Sequence, residues 1–185
     1  MSQTCPSLIN YSAADECLEN LAGLGEVAYL GLRSDLTAPL TATDNVYSGL
    51  AFKDGKGLVK LDLRENSQKI DAESQGKRKG YNLTATLVFD AVNRKTSLLS
   101  RALNNLGDLF VIMPDGDDIQ IMYDPNKKVR ADQGGITSTT GDTPDSDRIT
   151  TANLILGPVK YSNLFLELPS GKTLDELVVD DSSSE

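Results

Sequence analysis

Apolar and polar residues alternate most regularly in the middle of the chain. Val59, Leu61 and Leu63 interleave with Lys60, Asp62 and Arg64, the period of two that a strand with one buried face requires. The device returns at Ile70, Ala72 and Ser74, set between Lys69, Asp71 and Glu73. After Gly76-Lys77-Arg78-Lys79-Gly80 a third strand is predicted from Tyr81 to Val92, with Tyr81, Leu83, Ala85, Leu87 and Phe89 on one face. A run of that length reaches about 40 Å, longer than the usual strand, so it should extend past its own core.

The period then changes. Leu98, Leu99, Ala102, Leu103 and Leu106 fall on one stripe and predict an amphipathic helix over about 96–106, with Thr96 or Asn93 able to cap its start and Gly107 suited to its end. Leu109 to Met113 is a continuous apolar run, as in a central strand, and Pro114-Asp115-Gly116-Asp117 is a turn into Asp118–Tyr123, where Ile119, Ile121 and Tyr123 alternate. A hairpin follows from that order.

Outside this centre the signals are shorter. Ser12-Ala13-Ala14-Asp15 can form a capping box, and Ala14, Cys17, Leu18 and Leu21 recur at helical spacing until Gly23, which predicts a short N-terminal helix. Val27 to Leu32 reads as a strand, and Ser34 to Asn45, rich in Thr, Pro and Asp, as a long loop. Residues 124–147 turn polar, with Gly134-Gly135 and a Ser/Thr run, and read as a second long loop with a binding role. Two closing strands, Arg148–Leu156 and Val159–Leu168, flank a turn expected at Gly157-Pro158, and Pro169 to Glu185 reads as a mobile or partner-ordered acidic tail. The expected fold is mainly β (α+β): an antiparallel β-sandwich or barrel flanked by the helix at 96–106, plus the short N-terminal helix. The divisions are 1–24 as a helical extension, 25–168 as the β-rich domain and 169–185 as the tail.

Composition narrows the function classes. A chain of 185 residues with 39% hydrophobic and 24% charged residues can fold as one domain with a lean core. The net charge of −9 disfavours clamping nucleic acid or an anionic membrane. No stretch approaches the ~18 apolar residues of a membrane span and no signal-peptide pattern opens the chain, so a soluble protein made in a reducing cytoplasm is expected, with Cys5 and Cys17 as free thiols.

The chain has no histidine, which removes the commonest acid–base group, the commonest metal ligand and every Ser-His or Cys-His pairing. Gly55-Lys56-Gly57 and Gly76-Lys77-Arg78-Lys79-Gly80 lack phosphate-loop and dinucleotide spacings and read as hairpin connections. Asp115, Asp117 and Asp118 lack an EF-hand frame and read as a turn rather than a calcium site; Asp142, Asp145 and Asp147 read as a solvated acidic surface. Lys77, Arg78 and Lys79 form the dense basic cluster, suited to solvent, to an acidic face of another copy or to phosphates. Paired carboxylates are present in number, but nothing singles out a pair. The sequence therefore assigns no catalytic, cofactor-binding or metal-binding residue, and predicts no enzyme and no cofactor.

The order helix, strand, long loop, three strands, helix, hairpin, loop and closing strands, together with Gly57-Leu58-Val59-Lys60-Leu61-Asp62-Leu63, Glu73-Ser74-Gln75-Gly76 and Gly80 through Phe89, resembles bacteriophage tail tube and neck-ring proteins over about 46–123, extending to 168. The resemblance implies a virion protein of the tail or neck, made in the host cytoplasm. It implies homo-oligomeric rings joined by continuous sheet, with the loops 34–45 and 124–147 between subunits. Its partners would be other tail or neck proteins and DNA in transit through the lumen, with no membrane. The N-terminal helix and acidic tail depart from that pattern. The competing expectations are a soluble β-rich binding module that holds a ligand or peptide in its long loops, and a histidine-free enzyme built on carboxylates.

Overall fold

The computed structural model describes residues 25–65, 67–77, 79–116, 118–141 and 147–179. The expected N-terminal helix, Cys5, Cys17, Arg78, Asp117, Asp142, Asp145 and residues 180–185 lie outside the described residues. The described chain is mainly β, with two sheets and one α-helix. The strands, numbered along the chain, are β1 (Val27–Leu32), β2 (Thr41–Thr43), β3 (Val46–Ser48), β4 (Val59–Asp62), β5 (Lys69–Ser74), β6 (Tyr81–Phe89), β7 (Leu109–Asp115), β8 (Asp118–Met122), β9 (Arg130–Thr139), β10 (Ile149–Val159) and β11 (Phe165–Leu166). Seven form one sheet in the order β2-β3-β11-β8-β7-β1-β4, and four form the other in the order β5-β6-β10-β9. Every pairing is antiparallel except β11 with β3. Among the described residues neither sheet closes on itself, so the barrel alternative is not what forms.

The centre of the larger sheet is covered on both sides. Ala28 to Gly31 and Leu109 to Met113 are buried without alternation, as happens when both faces of a strand are packed. The register Gly31↔Phe110 and Tyr29↔Ile112 sets these four residues on one face. That face is closed by Phe52, which stacks on Phe110 at 6.4 Å, and by Tyr123, edge-on to Phe110 at 6.0 Å and to Tyr47 at 5.2 Å. The Leu40 amide donates to the buried Tyr123 hydroxyl at 3.2 Å, so this aromatic cluster leaves no polar tip stranded. The other face joins Leu83, Ala85, Leu87, Ala152, Leu154 and Leu156 from the smaller sheet in one continuous core.

The helix, α1 (Arg94–Asn105), starts two residues before the expected 96. Asn93 is the cap: its side chain accepts from the Thr96 amide at 2.9 Å and Thr96 Oγ1 accepts from the Asn93 amide at 2.9 Å, the reciprocal arrangement of a capping box. Its apolar stripe lies against β9, β10 and the Leu30–Leu32 end of β1, and Leu103 is fully buried.

Several expectations fail for identifiable reasons. The long loop at 34–45 contains a short 3-10 turn (Arg33–Asp35) and leads into the β2–β3 hairpin, whose two-residue turn is made by Asp44, at φ +54°, and Asn45. The long loop expected at 124–147 contains a strand, β9, of ten residues. An edge strand beside solvent needs few apolar residues, and here only Ala131 and Ile136 pair inward, opposite Leu154 and Ala152. Residues 132–135 oppose Asn153 alone, so the Gly134-Gly135 pair forms a wide bulge that breaks the alternation.

Gly157-Pro158 is not a turn between two strands but a register shift inside β10, where Gly157 lies flat against Asn82. The third predicted strand ends at Phe89 rather than Val92. The tail expected from 169 onward is docked up to Val179: Leu174 is buried, and the Leu58 amide donates to the Leu177 carbonyl at 2.7 Å while the Val179 amide donates to that of Leu58 at 3.0 Å.

Candidate assembly surface

The four-stranded sheet presents its backbone to whatever lies beside it. Among the described residues no strand pairs with the outer edge of β5 or of β9. The Gln75 amide donates to the Gly80 carbonyl at 2.9 Å, which makes Gln75 and Gly80 a hydrogen-bonded pair. By the two-residue period, Lys69, Asp71 and Glu73 then bond to β6, and the amides of Ile70, Ala72 and Ser74 point outward. An exposed row of this kind is a template for another strand.

Register fixes what stands on each face. Asp71 pairs with Thr84, Thr84 with Ile155 and Ile155 with Arg130, so these four form one row across the outer face. The next row, on the inner face, is Ile70, Ala85, Leu154 and Ala131. Each row therefore ends in complementary partners: an acid on β5 and a base on β9 outside, apolar groups on both inside. Between the ends, the outer face carries Asn82, Thr84, Thr86, Thr151 and Asn153, with Thr86 Oγ1 donating to Asn153 Oδ1 at 3.0 Å. A shallow depression of about 610 Å³ at one end of this face is lined by Glu73 and Asp132 on one side of the charge balance and Lys127, Lys128 and Arg130 on the other.

The other charged groups singled out in the sequence stay apart. Lys77 and Lys79 sit on the β5–β6 turn. Asp115 accepts from Gln120 Nε2 at 2.8 Å as part of the β7–β8 turn, and Asp147 takes Arg64 at 2.6 Å. Among the described residues no three His, Cys, Asp or Glu side chains come together as a metal would need, and no helix is long and apolar enough to cross a membrane.

Sequence reading missed one cluster altogether. Asp175 Oδ1 accepts from Tyr29 Oη and from Lys60 Nζ, both at 2.9 Å, pinning the C-terminal segment across β1 and β4. The three residues come from segments as much as 146 positions apart, and no local signal links them. Lys60 and then Tyr29 hold the Asp175 carboxyl below the usual carboxylate range. The hydrogen bond to Asp175 raises Lys60, and burial first, then the same carboxylate, raises the Tyr29 phenol.

The signs give two windows. The depressed carboxyl contributes stability above the ordinary carboxylate pKa and loses it as pH falls through its lower folded value. The raised amine and phenol hold theirs below about pH 10 and lose it above, as the unfolded chain sheds its protons first. Melting temperature should thus fall at both extremes, and Asp175→Asn should flatten the acid limb relative to the native protein while lowering stability at neutral pH only slightly, since the pair is solvent-exposed. Parallel acid limbs for the two proteins would exclude this role for Asp175.

No protein-family model matches the chain, and comparison with curated proteins and with solved structures likewise returns no significant match.

Proposed function

We propose that this chain is a structural subunit of a bacteriophage tail or neck, which joins copies of itself head to tail into a ring that DNA passes through. The two sheets are read as a sandwich whose smaller layer continues from one copy to the next. The supporting observation is the pair of sheet edges that no strand covers among the described residues. Four antiparallel strands leave β5 and β9 running in opposite directions, so rotation about an axis along the strands sets β9 of one copy antiparallel to β5 of the next. A contact of that type repeats without reversing and closes as a ring.

If the rows continue across the contact, Arg130 meets the neighbour's Asp71 on one face and Ala131 meets Ile70 on the other, both favourable cross-strand pairs. The inner face is already occupied by the subunit's own larger sheet. The outer face, rich in hydroxyls and amides at its centre, would then line the bore, with its cations Lys69, Lys127, Lys128 and Arg130 set among the acids Asp71, Glu73 and Asp132, which offsets their hold on phosphates. Neighbouring rings would be other tail or neck proteins, and the mature location the virion.

The test is negative-stain microscopy with light scattering at high concentration and low salt. Rings are expected from the native protein. Arg130→Asp should abolish them, and adding Asp71→Arg should restore them. A monomer under all these conditions would overturn the reading.

A further inference from the structure

The two uncovered edges of the smaller sheet carry charges that the subunit itself leaves unused. Lys69, Asp71 and Glu73 stand on the outer face of β5, and Lys128, Arg130 and Asp132 on that side of the β9 edge, where they line the shallow depression. All six are exposed. Lys69 and Asp71 pair with each other along their strand at 2.7 Å, and one Asp132 oxygen accepts from the Gln133 amide at 2.8 Å. Among the described residues Glu73, Lys128 and Arg130 form no ion pair. Charged side chains at a sheet edge restrict which strand can pair there.

Backbone geometry limits how the two edges can meet. Residues that bond to one neighbouring strand alternate with residues that bond to the other. Carried across the sheet through Thr84, Ala85, Leu154 and Ile155, that alternation ties Arg130 to Ile155 and turns Ala131 outward, as it does Ile70 and Ala72 on β5. Ala131 of one copy can thus stand opposite Ile70 of the next, or two residues to either side, opposite Gln68 or Ala72. A slip of one residue would turn each side chain to the wrong face.

Charge separates these three registers. With Ala131 opposite Ile70, Arg130 meets Asp71, Lys128 meets Glu73 and Asp132 meets Lys69. With Ala131 opposite Gln68, Arg130 meets Lys69; with Ala131 opposite Ala72, Asp132 meets Asp71. Like charges directly opposite each other destabilise a strand pair. The backbone ladder ends at Val129, which also bridges Leu109 of its own subunit, so Lys128 reaches Glu73 through its side chain. We propose that three ion pairs select a single register for the contact between copies, and that Lys69, Glu73, Lys128 and Asp132 are the residues that fix it. This rests on the ring reading above and goes further, since continuous sheet alone would be satisfied by any of the three registers.

The test is rescue by the register partner. Glu73→Lys and Lys128→Glu should each raise the protein concentration needed for half-assembly, followed by light scattering at low salt, by at least about fivefold, the scale of one exposed ion pair. Combining them should restore the native value, whereas Glu73→Lys with Arg130→Glu should not. Circular dichroism checks that each variant is folded. Carbodiimide cross-linking of the native protein needs no variant: products of dimer size, mapped by mass spectrometry, should join Glu73 to Lys128 and Asp132 to Lys69. Rings from the native protein with equal rescue by Arg130→Glu, with Asp71 joined to Lys128 instead, or with no response to Glu73→Lys would each overturn the proposal and leave the ring reading standing. A native protein that stays monomeric would overturn both.

Discussion

The Ala72→Pro variant is expected to remain folded and to lose assembly entirely. The Ala72 amide points away from β6, so a proline there removes no bond from the β5–β6 ladder, and its ring takes the space of an exposed alanine at the sheet edge. Proline is tolerated at such edge positions for this reason. In the register that sets Arg130 opposite Asp71, Ala72 stands opposite the neighbour's Val129, just before β9, so the pairing would lose a donor at its end and meet the ring instead. Melting temperature should move by no more than about 4 °C, the equivalent of roughly 1 kcal/mol in a domain of this size, while sedimentation shows only monomer. Asp71→Pro is the control: its amide bonds to β6, so the subunit itself should be destabilised. If Ala72→Pro forms the same particles as the native protein, β5 is not an assembly edge.

The largest effect on the fold should come from adding one carbon to Gly31. A Cβ at this position would run into Phe110 Cζ and lie 2.6 and 2.9 Å from the two Cε atoms of that ring. The ring cannot swing away, since Phe110 is fully buried between Phe52 and Tyr123. Gly31→Ala should therefore cost about 3 kcal/mol, at the upper end for overpacking, and lower the melting temperature by roughly 6–12 °C. Phe110→Leu should destabilise the native protein on its own yet partly rescue Gly31→Ala, because the two sites share one volume. A melting temperature for Gly31→Ala within a degree or two of the native value would mean that the ring has another place to go.

The elements that sequence pattern predicts well are those whose period is carried by their own side chains. β6 alternates through Leu83, Ala85 and Leu87, α1 repeats Leu99 and Leu103, and β7 is apolar throughout, so each announces its buried face. β9 gives no such sign, because its stability comes from backbone bonds to β10 and only Ala131 and Ile136 turn inward. The same holds for the segment up to Val179, which is held by two backbone bonds at Leu58 and by Asp175. Gly157-Pro158 carries the local chemistry of a turn, yet β6 continues opposite it and the strand resumes at Val159. The candidate assembly surface was less legible still. Asp71 and Arg130 are 59 positions apart in the sequence and align only through the registers of two intervening strands.

In the proposed ring, a subunit that adds its four-stranded sheet to a shared wall also sets a unit of circumference. With neighbouring strands about 4.8 Å apart, each copy adds roughly 19 Å of wall, so a bore made this way widens by about 6 Å in diameter for every subunit included. A strand tilt of about 35–45° would lengthen that step to roughly 7–9 Å. The diameter measured in an end-on image would then count the copies, and two rings differing by a single subunit would be separable by eye.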